Sequence, residues 1–287
     1  MNKPVLALTR KQAVKLLPKR PHDSHKGQFG NVVIIGGASG TVGAALMAGR
    51  AALKLGAGSI HVGLLAENAP VVDLHQPELM LHAAATALRL PNVTVMALGC
   101  GLGREPVAQK MLYDALQFDI PLVLDADALN ILAKRPDLRS RLIGRKNATV
   151  MTPHPGEAAR LLGSRVEDIQ ADRMGAVREL AAKFASSVVL KGAESLCVTH
   201  DGKIYLNQTG NPGMSSAGMG DVLTGMIAAF IGQGMPADDA LLFAVHLHGA
   251  AGDAMAEQSA TIGMSASEVT DWARWLLNQW IKSPQSE

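Results

Sequence analysis

With 287 residues, 48% of them hydrophobic, the chain has material for one large domain or two small ones around a substantial core. A net charge of +2, with acids and bases interspersed, excludes the electrostatic footprint of a nucleic-acid or membrane-surface binder. Two cysteines, Cys100 and Cys197, in apolar settings suit reduced thiols and exclude a disulfide framework or a cysteine metal cluster.

In chain order, Met1–Arg20 holds neither a long apolar run nor a small-residue cleavage pattern. Nothing later approaches about 20 uninterrupted apolar residues, so a cytoplasmic protein without membrane spans is expected. Residues 1–25 read as an N-terminal extension with a helix. Asn31–Gly36 is an apolar run ending in glycine, followed by the alanine-rich stretch Val42–Leu55, which gives strand, loop and helix. Ser59–Leu64, Val93–Leu98, Pro121–Leu124 and Ala148–Met151 are short apolar runs bounded by turn residues, the pattern of buried parallel strands. Val177, Leu180, Ala181 and Phe184 fall on one face of a helix expected between Val166 and Phe184, leading into the strand Ser187–Leu190. Two strand-like runs around Asp201-Gly202 predict a hairpin and an antiparallel edge. A long loop, Asn207–Met219, then opens a mostly helical remainder. Its last helix sets Val269, Trp272, Ala273, Leu276, Leu277 and Trp280 on one face, a core-packing pattern. No linker, charge block or repeat divides the chain, so one α/β domain spanning 1–287 is expected, with the loops that follow its strands on one sheet edge.

Those loops carry the distinctive residues. Gly218-Met-Gly-Asp221 closes a glycine-rich loop at the start of a helix, where converging backbone N–H groups and the helix dipole suit a phosphate. Asp221 there is either a helix-capping acid or a base acting on a nearby proton. Gly36–Gly40 and Gly99–Gly103 let backbone approach a ligand or form plain tight turns. The first lacks the dinucleotide-binding glycine spacing and the lysine of a phosphate-binding loop, and Leu64 and Leu65 stand where a ribose-binding acid belongs. Asp125 and Asp127 organise a site, hold a metal through water, or satisfy the N–H groups of the next helix, and taken alone they favour the structural role. In Thr152-Pro-His-Pro-Gly-Glu157 two prolines fix the chain around His154, which can present its imidazole to a ligand. Glu157 is either a first-turn acid favoured by the helix dipole or a carboxylate ordering Mg²⁺ waters. Lys191, at a strand end beside glycine, binds nucleotide phosphate or is a solvated turn lysine. His246 and His248, two apart on a helix, point to different faces and do not share a metal. An anion loop, an aspartate, a rigid histidine loop and a strand-end lysine together fit phosphoryl transfer.

In the same order along the chain, Lys26-Gly-Gln-Phe-Gly30, Gly36-Gly-Ala-Ser-Gly40, Asp125-Ala-Asp-Ala-Leu-Asn130, Thr152-Pro-His-Pro-Gly-Glu157, Val189-Leu-Lys-Gly192, Asn211-Pro-Gly-Met214 and Gly218-Met-Gly-Asp221 resemble the ADP/ATP-dependent NAD(P)H-hydrate (NAD(P)HX) dehydratases of the ribokinase-like superfamily. The resemblance implies a three-layer α/β/α fold with a mainly parallel sheet and an antiparallel edge. It also implies repair of the 6S hydrates of NADH and NADPH at the expense of ADP or ATP, with Mg²⁺. Asp221 is then the catalytic base. Ala44, Gly101, Gly103 and His154, with Asp221, contact the hydrated nucleotide. Lys191, Gly192, Ala193, Glu194 and Ser195, together with Ala217, Gly218, Met219 and Gly220, bind ADP, and Glu157 reaches the metal through water. A homotetramer is implied too, as is a separate epimerase acting on the other epimer, because the stretch before Lys26 is too short to house one. A ribokinase-like kinase for a vitamin precursor is the alternative enzyme, and a nucleotide sensor the non-catalytic one. The His154 loop argues against the former and Asp221 against the latter.

Overall fold

The computed structural model describes residues 4–16, 20–259 and 261–282. Its ten strands are β1 (Val5–Ala7), β2 (Asn31–Gly36), β3 (Ser59–Leu64), β4 (Met80–Ala83) and β5 (Val95–Leu98), then β6 (Leu122–Leu124), β7 (Thr149–Met151), β8 (Ser187–Leu190), β9 (Ser195–Val198) and β10 (Ile204–Asn207). They form one sheet in the order β1-β10-β9-β8-β7-β6-β5-β2-β3-β4. Only β9 runs against its neighbours, β8 and β10.

The middle strands are continuous apolar runs because both faces of the sheet are covered. Side chains alternate across it with the strand period of two. Ile34, Ala97, Val123, Val150 and Val189 enter one core, beneath helices Val42–Lys54, Met219–Gly232, Ala237–Gln258 and Ala266–Lys282. Ile35, Leu98, Leu124, Met151 and Leu190 enter the other, beneath helices that include Pro106–Ala115, Ala126–Lys134, Pro155–Leu162 and Arg173–Phe184. This is the three-layer arrangement that the sequence leads one to expect. Among the described residues no helix is long and apolar enough to cross a membrane.

Three details differ from the sequence reading. The N-terminal stretch contributes a strand as well as the helix Arg10–Lys15, and β1 pairs parallel with β10, so the hairpin lies one strand inside the edge. β4, a four-residue Met-Leu-His-Ala strand with no fully buried position, joins β3 at the far edge. The helix expected over Val166–Phe184 is broken at Asp172 into Val166–Ala171 and Arg173–Phe184, because the Asp172 carboxylate accepts the Gly175 N–H at 2.7 Å and starts a new helix.

One close packing contact sets the position of the site. Helix Met219–Gly232 crosses Val42–Lys54 so tightly that a Cβ on Gly225 would lie 2.1 Å from the Ala48 carbonyl oxygen. Glycine is needed there for the approach itself, and the crossing brings the first turns of both helices to the carboxyl ends of β2 and β5.

Candidate active site

The carboxyl ends of β6, β7 and β8 deliver Asp125, the Thr152–Glu157 segment and Lys191, and the Lys191 N–H donates to the Pro153 carbonyl at 2.9 Å. The Lys191 ammonium donates to Asp125 Oδ1 at 2.8 Å, and Thr224 Oγ1 donates to Asp125 Oδ2 at 2.9 Å. Glu157 Oε2 stands 4.0 Å from the same ammonium. Asp125 is 1% exposed, and burial alone pushes its carboxyl up. The Lys191 charge and the hydrogen bonds outweigh that and hold it below the usual carboxylate range. Burial favours neutral Lys191, yet Asp125 and Glu157 keep its pKa above the ordinary value. Asp125 therefore organises the site and makes no side-chain cap to the helix after it.

Asp221 lies in the first turn of Met219–Gly232, whose N-cap is Gly218 at φ 91°, so the capping position is not its own. Its carboxyl is pushed up to about 6 by burial, with nearby Asp125 adding to the effect, while a hydrogen bond from the Cys100 thiol and the Lys191 charge oppose it. Ligand atoms of Cys100, Asp125 and Asp221 lie within 4.8 Å of one another. The first-turn N–H groups of this helix have no acceptor within it, which gives the loop the chemistry of an anion seat. Gly220 brings that seat against the charge network, since a Cβ there would stand 3.1 Å from Lys191 Nζ and 3.5 Å from Asp125 Oδ2.

Beyond Lys191 the chain turns through Gly192, at φ 141°, and Glu194, at φ 54°, with Ala193 exposed between them. Ser195 Oγ donates to the Gly192 carbonyl at 2.9 Å and closes the turn. Gln208 Nε2 donates to Glu194 Oε1 at 3.4 Å, linking the turn to the long loop. That loop is held to helix Ala237–Gln258 by Asp253, which accepts from Gly210 N–H at 2.8 Å and Asn211 Nδ2 at 3.0 Å.

On the other side of Asp221 the two remaining glycine loops are joined. Gly37 N–H donates to the Cys100 carbonyl at 3.0 Å, and the Gly101 carbonyl accepts from Ala38 N–H at 2.7 Å and Thr41 Oγ1 at 2.9 Å. Gly101 has φ 60°, and a Cβ there would meet the Thr41 carbonyl at 2.6 Å. Gly103 N–H donates to Asp127 Oδ2 at 3.0 Å, which gives Asp127 a loop-fixing role. Ala44, in the first turn of Val42–Lys54, is partly exposed beside this pair of loops.

His154 is the N-cap of Pro155–Leu162 and remains half exposed. Its Nδ1 accepts from Gly156 N–H at 3.0 Å, which leaves Nε2 to carry the ring proton, 3.3 Å from Glu157 Oε1. Burial first, then Lys191 and Arg160, lower its pKa, so the imidazole is neutral near pH 7. Glu157 completes the cap by accepting His154 N–H at 2.8 Å. Its buried carboxyl is raised by burial, against the pull of Lys191.

The structure thus brings Asp221, Gly220, Lys191, Glu157 and His154 around Asp125. It sets Ala44, Gly101 and Gly103 on the adjoining loops and carries Ala193–Ser195 outward along the hairpin. Two contributors went unread in the sequence. Thr224 lies one turn beyond Asp221, its signal being a small polar residue inside an apolar helix, and Cys100 was read only as a buried thiol.

Comparison with known proteins decides the lineage. A family model described as NAD(P)H-hydrate dehydratase matches residues 32–274. The chain belongs to that family. It is 41% identical over 286 residues to the ADP-dependent (S)-NAD(P)H-hydrate dehydratase of Neisseria meningitidis, covering 96% of each. It is also 41% identical over 267 residues to the bifunctional NAD(P)H-hydrate repair enzyme of Coxiella burnetii, covering 92% of this chain and 53% of that one. The ADP/ATP-dependent NAD(P)H-hydrate dehydratase of Bacillus subtilis, co-crystallised with ATP/Mg²⁺, superposes with a TM-score of 0.87 at 32% identity, covering 96% of this chain and 99% of that one. A hydroxyethylthiazole kinase from Pyrococcus horikoshii, at TM-score 0.63 and 16% identity, shares the fold alone. Among NAD(P)H-hydrate dehydratases, then, this chain carries its charged residues on the carboxyl ends of three adjacent parallel strands and one facing helix.

Proposed function

We propose that the protein dehydrates (6S)-NADHX and (6S)-NADPHX to NADH and NADPH and converts ADP to AMP and phosphate as it does so. The observation that carries this reading is Asp221, a carboxyl pushed up to about 6 on the first turn of a glycine-opened helix. A base with that pKa accepts a proton near neutral pH yet stays ionised before the reaction. The C6 hydroxyl of the hydrate gives its proton to Asp221 while its oxygen attacks the terminal phosphorus of ADP, and AMP departs. Hydroxide, a poor leaving group, has then become a phosphate ester. The ring nitrogen lone pair expels phosphate, loss of a ring proton restores the double bond, and Asp221 returns its proton to solvent.

The other residues supply binding and charge. Backbone N–H groups of Ala217–Gly220, where the loop enters the helix, receive the transferring phosphoryl group, as an oxyanion seat does. Lys191 and the turn through Gly192, Ala193, Glu194 and Ser195 hold the nucleotide, with Lys191 neutralising phosphate as it now neutralises Asp125. The half-exposed His154 ring and the backbone at Ala44, Gly101 and Gly103 hold the hydrated ring. Mg²⁺, when bound, neutralises the nucleotide's phosphates. The residues present fit an ion that arrives with the nucleotide and keeps its waters. Among the described residues the cluster of three potential ligands includes a thiol, a poor partner for Mg²⁺, and Lys191 already occupies its Asp125. Glu157, whose oxygens face His154, would hold the ion through water. The same proposal carries a cytoplasmic homotetramer, served by a separate epimerase that converts the 6R hydrate.

The test is incubation of the purified protein with NADHX, Mg²⁺ and either ADP or ATP. NADH and phosphate should form in equal amounts, faster with ADP. No NADH with either nucleotide overturns the proposal, and a stable phosphorylated alcohol without NADH would make the protein a kinase.

A further inference from the structure

Four buried side-chain polar atoms among the described residues lack a hydrogen-bond partner: Asn31 Oδ1, Arg145 Nε, Thr149 Oγ1 and His248 Nε2. The first three lie at the amino-terminal edge of the sheet. Asn31 and Thr149 are the first residues of β2 and β7, and Arg145 binds the Leu116 and Phe118 carbonyls in the segment leading to β6. His248 alone lies within the electrostatic reach of Lys191, at the opposite edge.

Its surroundings explain what such an atom is for. His246, two positions earlier, is a satisfied structural histidine: Nδ1 is 3.2 Å from Asn207 Oδ1 and the ring stacks on Trp280 at 5.8 Å between centroids. The residues next to His248 hold the long loop. The His246 carbonyl accepts Thr209 Oγ1 at 3.1 Å, and Asp253 holds Gly210 and Asn211. Cβ atoms on Gly249 and Gly252 would come within 2.3 Å of Thr209 Oγ1 and Met214 Sδ. His248 therefore sits on a helix stretch packed against the loop that leads into Ala217–Gly220, and it senses the ammonium from which the Lys191–Ser195 turn begins. Burial, then Lys191, lower its pKa to about 4, so the ring is neutral and carries one N–H. Leaving a buried ring nitrogen without a partner costs stability, and each such atom calls for an explanation, a group that binds to it being one.

We infer that His248 is a nucleotide-binding residue whose Nε2–H donates to an oxygen of the bound nucleoside diphosphate, from the helix side of the site. The assignment rests on the dehydratase reading, which takes the Lys191 turn and the Ala217–Gly220 loop as the nucleotide's seat.

The experiment compares His248→Phe, which keeps a ring without the polar atom, with His248→Gln, which keeps an N–H donor of similar reach. ADP with Mg²⁺ is titrated calorimetrically, the ligand-free proteins are melted, and KM is measured for ADP and for NADHX. Phe should weaken ADP binding about tenfold and raise the KM for ADP alike, the loss of one hydrogen bond to a charged acceptor. It should leave the KM for NADHX unchanged and the ligand-free melting temperature equal or higher, while Gln restores most of the ADP affinity. Unchanged ADP affinity in the Phe variant overturns the inference. So does a parallel loss of stability and of affinity for both substrates, which marks a purely structural residue. A parent protein that binds ADP but forms no NADH would sink the dehydratase reading and leave this measurement intact.

Discussion

Asp221→Asn separates stability from catalysis. The carboxyl is held at about 6 against an ordinary 3.8, and at about 1.4 kcal/mol per pH unit that difference means the ionised group costs the fold about 3 kcal/mol. The folded pKa is raised, so the cost is complete above about pH 6, where Asp221 is ionised in both states. It shrinks as the pH falls and vanishes below about 4, where both states are protonated. Asparagine never ionises. The variant should therefore be more stable than the parent by up to about 3 kcal/mol at pH 8, several degrees in melting temperature, and equal to it near pH 4. Turnover should fall by about 10²–10⁴, the usual contribution of a general base. In the parent, kcat/KM should decline below about pH 6 as the base is protonated. The assays are thermal melts across pH and NADH formation from NADHX. A variant whose stability advantage over the parent is no larger at pH 8 than at pH 4, or one that keeps the parent's turnover, refutes the reasoning.

Lys191→Met leaves Asp125, 1% exposed, with an unneutralised carboxylate and should cost about 3–5 kcal/mol in urea unfolding. Adding Asp125→Asn should recover most of it, and additive losses would show that the two groups do not act as a pair. Gly220→Ala introduces a Cβ 3.1 Å from Lys191 Nζ, so the ammonium has to move. The KM for ADP should rise several-fold while stability holds, because alanine is the better helix former by about 1 kcal/mol, and an unchanged KM would contradict the placement. Cys100 and Cys197 are free, buried thiols whose pKa values burial pushes up. A thiol reagent should label neither until the protein unfolds, and rapid labelling of the native protein would contradict that burial.

Most of the fold was legible because the sheet is buried on both faces, so its strands read as short apolar runs between turn residues. β3 and the start of the helix after β2 match the reading residue for residue. β1 escaped because three residues on an edge carry little pattern, and its pairing with β10 is a contact between distant parts of the chain. The break at Asp172 escaped because apolar spacing does not sense a side chain that competes for backbone N–H groups. At the site, glycines and prolines marked the loops, since φ values such as those of Gly101 and Gly218 leave few alternatives. What spacing could not convey was pairing. Asp125, taken alone, favours a structural role over organising the site or holding a metal, and only the folded chain sets it between Lys191 and Thr224.

The Asp125 carboxylate also bears on how the chain folds. Two of its partners are 66 and 99 residues away in sequence, one on a strand end and one on a helix of the opposite layer. Neither can arrive before β6, β7 and β8 are aligned and the helix carrying Thr224 has docked, and closing such long loops makes this a late step. A chain that has buried Asp125 without them holds a bare charge in its interior, a state too costly to accumulate. The site thus acts as a check on assembly: partly folded chains lack it altogether, and any ligand that binds there selects the completed sheet over every incomplete one.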